Sequence, residues 1–337
     1  MRQTASVERH ESRSRAPEAR AGAAGPLAGA RSGAGGMASA WRGVWRLADP
    51  KISLASFASL FLGACAARAV GPLHLGWLAL SWIGLFAIEV AKNAAGEVFD
   101  WDSGVDQAVA AEDRSPFSGG KRVLVDGLLT RRRTQGLALV AYGVGIACGL
   151  AIAWFREPKV LAIGLAGVLL AFFYHAPPLR LAYRGLGEFA VAAVYGPLIA
   201  SGTYLVQVGR VDARVVLASL PLGLLIGAFL WINEFPDFRA DAAHGKNNLV
   251  VRLGLGNASR AFVGLVLAAF ALLASLPFLG LPAGVLLGGL GAIPCLWAAG
   301  RLLRSPDRVP RLIPAQEMTL LGFLLYALGC GFGWLLD

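Results

Sequence analysis

What most constrains the fold of this chain is a series of nearly charge-free runs of about twenty residues, the length a helix needs to cross a hydrocarbon core. They occupy residues 52–70, 71–88, 134–155, 160–179, 189–209, 215–233 and 318–336. A longer run, 261–300, holds "LPFLGLPAG" at its middle, and Pro277 and Pro282 divide it in two. The reading is nine spans. With 56% hydrophobic and 15% charged residues and a mean hydropathy of +0.59, a soluble domain is excluded. No window alternates apolar and polar residues at strand length, which argues against an outer-membrane barrel. The expected fold class is an all-α integral membrane protein.

Orientation follows from the basic residues. With the amino terminus in the cytoplasm, the loops on that side carry 17 Lys and Arg after the tail, from Lys92 to Arg311, and the opposite loops carry 5. That asymmetry fits the positive-inside rule, an odd number of spans and an external carboxy terminus. The net charge of +10 then reads as topology and attraction to anionic lipid, not as a nucleic-acid surface. The expected location is the cell (inner) membrane, multi-pass, with the functional face on the cytoplasmic side.

Residues 1–48 differ from the rest. "ESRSRAPEARAGAAGPLAGARSGAGG" has no apolar period and reads as a disordered Gly/Ala/Arg-rich tail ahead of a transmembrane domain over 49–337. It lacks the apolar core of a signal peptide, and Glu8, Glu11 and Glu18 argue against a transit peptide. Met37 offers a second candidate start. Cys65, Cys148, Cys295 and Cys330 fall singly inside apolar spans and read as small buried hydrophobes. His10 and His74 look incidental, whereas His175 and His244 sit in loops that matter below.

Against this background "KNAAGEVFDWDSGVD" stands out directly after the second run. Asn93, Glu97 and Asp100 are spaced i, i+4 and i+7, so they share one helical face, and Asp102 projects the other way. Gly104 permits a turn that returns Asp106 to the same place. A second cluster, "NEFPDFRADAAHGKNNLVVRLG", follows the sixth run, with Asn233, Asp237 and Asp241 at i, i+4 and i+8. Pro236 is expected to kink that helix. The clusters begin 140 residues apart, which suggests a repeated helical layout. One such cluster would pass for solvated residues at a helix exit; two matching ones on one side of a membrane do not.

Crowded carboxylates repel unless a cation neutralises them, and an all-oxygen donor set with few carboxylates per ion is the style of Mg²⁺ bound beside phosphate. Basic groups to hold a phosphate lie near. They are Lys121 and Arg122 after "RSPFSGG", Arg180 and Arg184 in "YHAPPLRLAYRGLGE", and Arg239 and Lys246 in the second cluster.

The pair of motifs resembles the membrane aromatic prenyltransferase superfamily typified by 4-hydroxybenzoate polyprenyltransferase, from about Trp41 onward. "EVFDWDSGVD", "RSPFSGG", "LAYRGLGE" with "GTYLVQ", and "DFRADAAHGKNNLVVRLG" look most like its 1,4-dihydroxy-2-naphthoate branch in menaquinone synthesis. The resemblance implies nine helices around a central cavity. It implies Mg²⁺ held by Glu97, Asp100, Asp106, Asp237 and Asp241, with Asn93 and Asn233 positioning ligands or a bound water. It further implies a polyprenyl diphosphate whose leaving group meets Lys121, Arg122, Tyr174, Arg180, Arg184, Arg239 and Lys246, an aromatic acceptor, and a lipid-accessible tunnel for the tail. The sequence departs from the family pattern where Gly96 and Glu97 replace the usual Asn-Asp, and where His175 follows Tyr174 in place of a small hydroxyl residue.

Two alternatives stay open at this level. The same superfamily includes enzymes acting on 4-hydroxybenzoate, homogentisate, chlorophyllide or haem. A cation-coupled transporter also uses intramembrane carboxylates and repeats, though usually near the midplane and not beside basic loops.

Overall fold

The computed structural model describes residues 33–336, and all of their regular secondary structure is helical. In chain order come α1 (Gly33–Ala48), α2 (Pro50–Arg68), α3 (Leu75–Ser103), the short α4 (Val105–Ala108), α5 (Arg131–Phe155) and α6 (Val160–Phe173). There follow α7 (Gly187–Ala193), α8 (Ile199–Val208), α9 (Ala213–Ala243), α10 (Leu249–Ser275), α11 (Ala292–Arg304) and α12 (Val309–Leu336). Among the described residues, seven helical segments are long and apolar enough to cross a membrane, and α1 with α2, bent by 46°, would be an eighth. α6 has 14 residues, about 21 Å of helix against a core of about 30 Å. The expected count of nine is therefore not reached on length and composition.

α9 is the interior helix: 72% of its apolar window is buried, against 28% for α3 and for α5, which show lipid much of their circumference. Its neighbours reach it through small residues. A Cβ on Gly223 would fall 2.3 Å from the Ala192 carbonyl oxygen, so α7 and α9 approach at backbone contact. Between α7 and α8 the chain widens into a π-turn, Val194–Leu198, around Pro197. Proline has no N–H to give the ladder, and the widened turn lets the helix continue past it. The main core joins buried side chains such as Leu222, Leu225, Phe262, Phe323 and Tyr326.

The expected disordered tail needs correcting. Residues 1–32 lie outside the described residues, but 33–48 form α1. Alanine is the strongest helix former, and packing offsets the glycines. The inner face of α1 carries Gly43 against Leu128 and Leu129 and the fully buried Leu47. Trp41 and Trp45 form its exposed face. Arg46 binds Asp126 at 2.6 Å, so α1 clasps the long loop between α4 and α5.

Candidate active site

α3 carries Glu89, Asn93, Glu97 and Asp100 along one buried face. Gly104 ends the helix at φ 84°, a left-handed conformation that suits glycine, and α4 brings Asp106 in, buried. The chain then folds back over the end of α3. The Leu124 N–H donates to Glu97 Oε1 at 2.8 Å, and Arg122 donates to the Asp106 carbonyl at 3.4 Å. Gly120, at φ 70°, presses on Asp106; a Cβ there would fall 2.4 Å from Oδ1, so the "SGG" loop closes only with glycine. Asp102 projects away, exposed, and takes two hydrogen bonds from Arg131 at 2.9 and 2.6 Å.

The second cluster comes down α9 to the same place. Lys246, in the loop after α9, sets Nζ 3.5 Å from Asp100 Oδ2 and 3.7 Å from Asp241 Oδ1, so one ammonium ties the two clusters together. Asn248 donates to Asp241 Oδ2 at 2.8 Å, while its Oδ1 accepts from Val251 N and caps α10. Tyr183 donates to Asp100 Oδ1 at 2.6 Å.

The charges explain the titration of the loop groups. Burial pushes Asp106 up to about 8, reinforced by Asp100, Glu97 and Asp237, with Lys246 opposing. Lys246 is raised: burial would lower it, but Asp100, Asp241, Tyr183 and Asp237 outweigh that. Burial lowers His175 to about 4; Asp100 opposes, and Lys246, Lys92 and Arg180 add to the lowering. The imidazole is therefore neutral at neutral pH, and its 3.9 Å approach to Asp100 is a polar contact, not an ion pair.

Among the expected residues, Glu97, Asp100, Asp106, Asp237, Asp241 and Lys246 converge. Asn93 donates its amide to the Leu47 carbonyl at 2.9 Å, joining α3 to α1. Lys121 is paired with Asp49, Arg122 with Asp126 at 3.4 Å, and Arg180 stacks 4.3 Å over the Tyr183 ring. Arg184 is exposed, and Arg239, 72% exposed, reaches Asp113 at 3.8 Å. Tyr183, Asn248 and Asp49 were not among the expected residues. The partners of Tyr183 and Asp49 lie 83 and 72 positions away and leave no local signal, whereas Asn248, seven residues after Asp241 and at the start of α10, had a readable one.

Among the described residues no group of three or more His, Cys, Asp or Glu is already gathered as a metal cage. The donor set nevertheless suits a hard dication. Glu97 Oε2, Asp237 Oδ1, Asp241 Oδ1 and Asn233 Oδ1 are buried without a hydrogen-bond partner. Such orphaned oxygens are rare in folded proteins, and an ion is one of the standard explanations.

An apolar cavity of about 370 Å³ opens beside this site, between α3, α5, α6 and the α7–α8 segment. Its wall is mostly Leu, Ile, Val, Ala and Gly, with Ser81, Cys148 and Thr203 among them, and Ser56, Glu89, Lys92, Tyr174 and Tyr195 form a polar group in the lining. Ser56 and Tyr195 donate to Glu89 Oε1 at 2.5 and 3.1 Å, leaving Oε2 unpartnered. Lys92 makes no hydrogen bond or ion pair among the described residues; its Nζ lies 5.8 Å from the ring centroids of both Tyr174 and Tyr195. Glu89 had a readable signal, since it extends the Asn93–Glu97 face by one turn. Lys92 was hidden because a basic residue near a span end reads as a topology charge.

The family model of the UbiA prenyltransferase family matches residues 56–312. A 1,4-dihydroxy-2-naphthoate octaprenyltransferase of Mycobacterium tuberculosis is 31% identical over 291 residues, covering 82% of this chain and 96% of that one. The enzyme of the same name from Bacillus subtilis is 26% identical over 63% of this chain, a match spanning 66% of its own length, just under two thirds. A solved UbiA homolog from Archaeoglobus fulgidus, bound to GPP and Mg²⁺, superposes with a TM-score of 0.60 at 17% identity, covering 88% of this chain and 100% of that one. At that identity the likeness carries the fold.

Proposed function

This chain belongs to the UbiA prenyltransferase family, and we propose that it transfers a polyprenyl group from its diphosphate to 1,4-dihydroxy-2-naphthoate in menaquinone synthesis, on the cytoplasmic face of the membrane. The observation that carries the proposal is the convergence of both acidic clusters on Lys246 beside a lipid-side apolar cavity. Family membership sets the transporter reading aside. The relatives named as naphthoate octaprenyltransferases support this acceptor over 4-hydroxybenzoate or homogentisate.

Glu97, Asp100, Asp106, Asp237 and Asp241 would hold Mg²⁺, with Asn233 beside them. Bound there, Mg²⁺ supplies positive charge opposite the diphosphate and makes it a better leaving group. Lys246 stands at the junction and serves the same anion; Lys121 and Arg122 lie in the loop that closes over it. Tyr174 lies between the acidic site and the cavity. The isoprenoid tail occupies the apolar cavity, where it stays out of water. The allylic C–O bond breaks with its electron pair passing to the diphosphate. Ring electrons form the new C–C bond at the carbon that bears the carboxylate, and loss of that group as CO₂ restores the aromatic ring. Within the polar group of the cavity lining Lys92 is placed to attract the acceptor's carboxylate, and Glu89 Oε2 to accept a hydrogen bond from its ring hydroxyl.

Incubating the purified chain with labelled prenyl diphosphate and a panel of aromatic acids tests the reading. Divalent-metal-dependent product with 1,4-dihydroxy-2-naphthoate and release of CO₂ are expected. Product with 4-hydroxybenzoate alone would move the chain to another branch.

A further inference from the structure

Gly96 and His175 are distant in sequence, and the fold stacks them. On the acidic face of α3, between Asn93 and Glu97, Gly96 offers no side chain, and the His175 imidazole fills the space. A Cβ at Gly96 would fall 2.6 Å from His175 Cε1, 2.8 Å from Nδ1 and 3.1 Å from Nε2. The ring is also held from its other side, edge-on to Tyr174 with centroids 4.8 Å apart. Its side chain is 13% exposed.

Packing alone does not explain an imidazole there. Neither ring nitrogen makes a hydrogen bond among the described residues, and Nε2 stands 3.9 Å from Asp100 Oδ2, too far for one. The carboxylates gathered at the same junction carry their own unengaged atoms: Asp237 Oδ1, Asp241 Oδ1 and Glu97 Oε2 are buried without hydrogen-bond partners. An imidazole nitrogen without a hydrogen bond thus stands beside Asp100, at the junction whose other carboxylates keep unengaged oxygens, and what would draw the two kinds of donor together is a cation that accepts nitrogen as well as oxygen.

We propose that His175 is a nitrogen ligand of the divalent cation held by the acidic clusters, and that Gly96 is the seat that brings its imidazole there. The inference rests on the cation site of the proposed function and narrows it. Magnesium takes oxygen donors, whereas Mn²⁺, Co²⁺ and Zn²⁺ accept imidazole readily. A mixed nitrogen and oxygen set therefore shifts the chain's preference toward those ions relative to Mg²⁺.

The test uses Mn²⁺ alone as probe, on the full chain without a histidine tag in lipid nanodiscs. Electron spin-echo spectra of bound Mn²⁺ should show modulation from a directly bound ¹⁴N. The signal should vanish in His175→Gln, fall in Gly96→Ala, where the new Cβ displaces the ring, and persist in His244→Gln. The ratio of Mn²⁺ to Mg²⁺ affinity should drop about ten-fold or more in His175→Gln. Stoichiometric Mn²⁺ without nitrogen modulation would overturn the role of His175 and leave the cation site standing. Modulation that survives His175→Gln or disappears in His244→Gln would overturn it as well. A chain that binds no divalent cation would overturn both this inference and the metal part of the proposed function, while prenyl transfer would be judged separately by product.

Discussion

At the end of α3 the carboxylates are built into the architecture, whereas at the end of α9 Asp237 and Asp241 each keep one oxygen without a hydrogen bond, although Asp241 accepts from Asn248 and Asp237 from the Gly119 backbone. Asp100 accepts from Tyr183 at 2.6 Å and faces Lys246 at 3.5 Å, Glu97 holds the Leu124 N–H, and Asp106 is pressed against Gly120. Down α9, by contrast, Asn233 Oδ1, Asp237 Oδ1 and Asp241 Oδ1 have no hydrogen-bond partner. Two stretches with nearly the same spacing thus divide the work. The first fastens the long loop over the site and offers its remaining oxygens; the second holds donors in reserve for a ligand.

Exchanging one charge in each cluster separates these roles and carries the largest expected effect. Asp237→Asn and Asp100→Asn should each lower prenyl transfer by about 10² to 10³-fold, the scale of losing one group that stabilises developing charge. Their stabilities should part. Asp237→Asn touches one backbone bond, from Gly119, which the amide oxygen can still accept, and should melt near wild type. Asp100→Asn weakens charge-assisted bonds worth roughly 1.5–3 kcal/mol each and should melt lower. Diphosphate release and thermal unfolding of purified, inserted variants give both numbers, and the comparison breaks if Asp237→Asn is the variant that unfolds.

Gly120→Ala sharpens the claim that the first cluster is fastened by its loop. The new Cβ meets a left-handed backbone and the Asp106 carboxylate together, a strain of about 1–3 kcal/mol. The expected outcome is a lower melting temperature and a weaker requirement-saturating response to Mg²⁺, with transfer recovered in part at high metal concentration. An alanine variant indistinguishable from wild type would mean that the loop does not bear on Asp106.

A smaller effect should appear in pH. Asp106 titrates near 8 against about 3.9 unfolded, so without metal the folded state holds its proton more tightly. The stability this contributes is fully present below pH 3.9 and is lost as pH rises through about 8. A metal ligand must be charged, so Mg²⁺ reverses the penalty. The stabilisation by Mg²⁺, read as a shift in melting temperature, should therefore be larger at pH 8 than at pH 6. An equal or opposite shift would remove Asp106 from the ligand set.

How much of this could be read from the sequence depends on the range of the interaction. The stripe from Asn93 to Asp100 and the return of Asp106 past Gly104 are local geometry, fixed by helical period and one glycine, and both were legible. The joining of Asp100 to Tyr183 and Lys246 spans distances along the chain that no spacing rule covers. α1 was misread because composition was weighed over the i, i+4 recurrence of Met37, Trp41 and Trp45. The place of Lys92 in the cavity wall was not legible, because a lysine serving topology and a lysine lining a cavity look alike until the helix is placed against its neighbours. The apolar run read as a span over 160–179 continues past Phe173, where the helix ends and the chain turns into the Tyr174–Arg184 loop, so on length α6 does not confirm the ninth span.

The smallest effect belongs to the carboxylate that shares the first motif and not its site. Asp102 lies two residues from Asp100, but the helical turn sends it outward, where it pairs with Arg131 at 2.6 Å with side chains 43% and 48% exposed. Exposed pairs of this kind contribute about 0–1 kcal/mol, because water screens them and two side chains must be held in place. Asp102→Asn should therefore transfer prenyl groups at close to the wild-type rate and melt within a degree or two of it. If it instead lost activity on the scale of Asp100→Asn, charge density at the end of α3 and not the direction of each carboxylate would govern the site, and the distinction between inward and outward faces would fall.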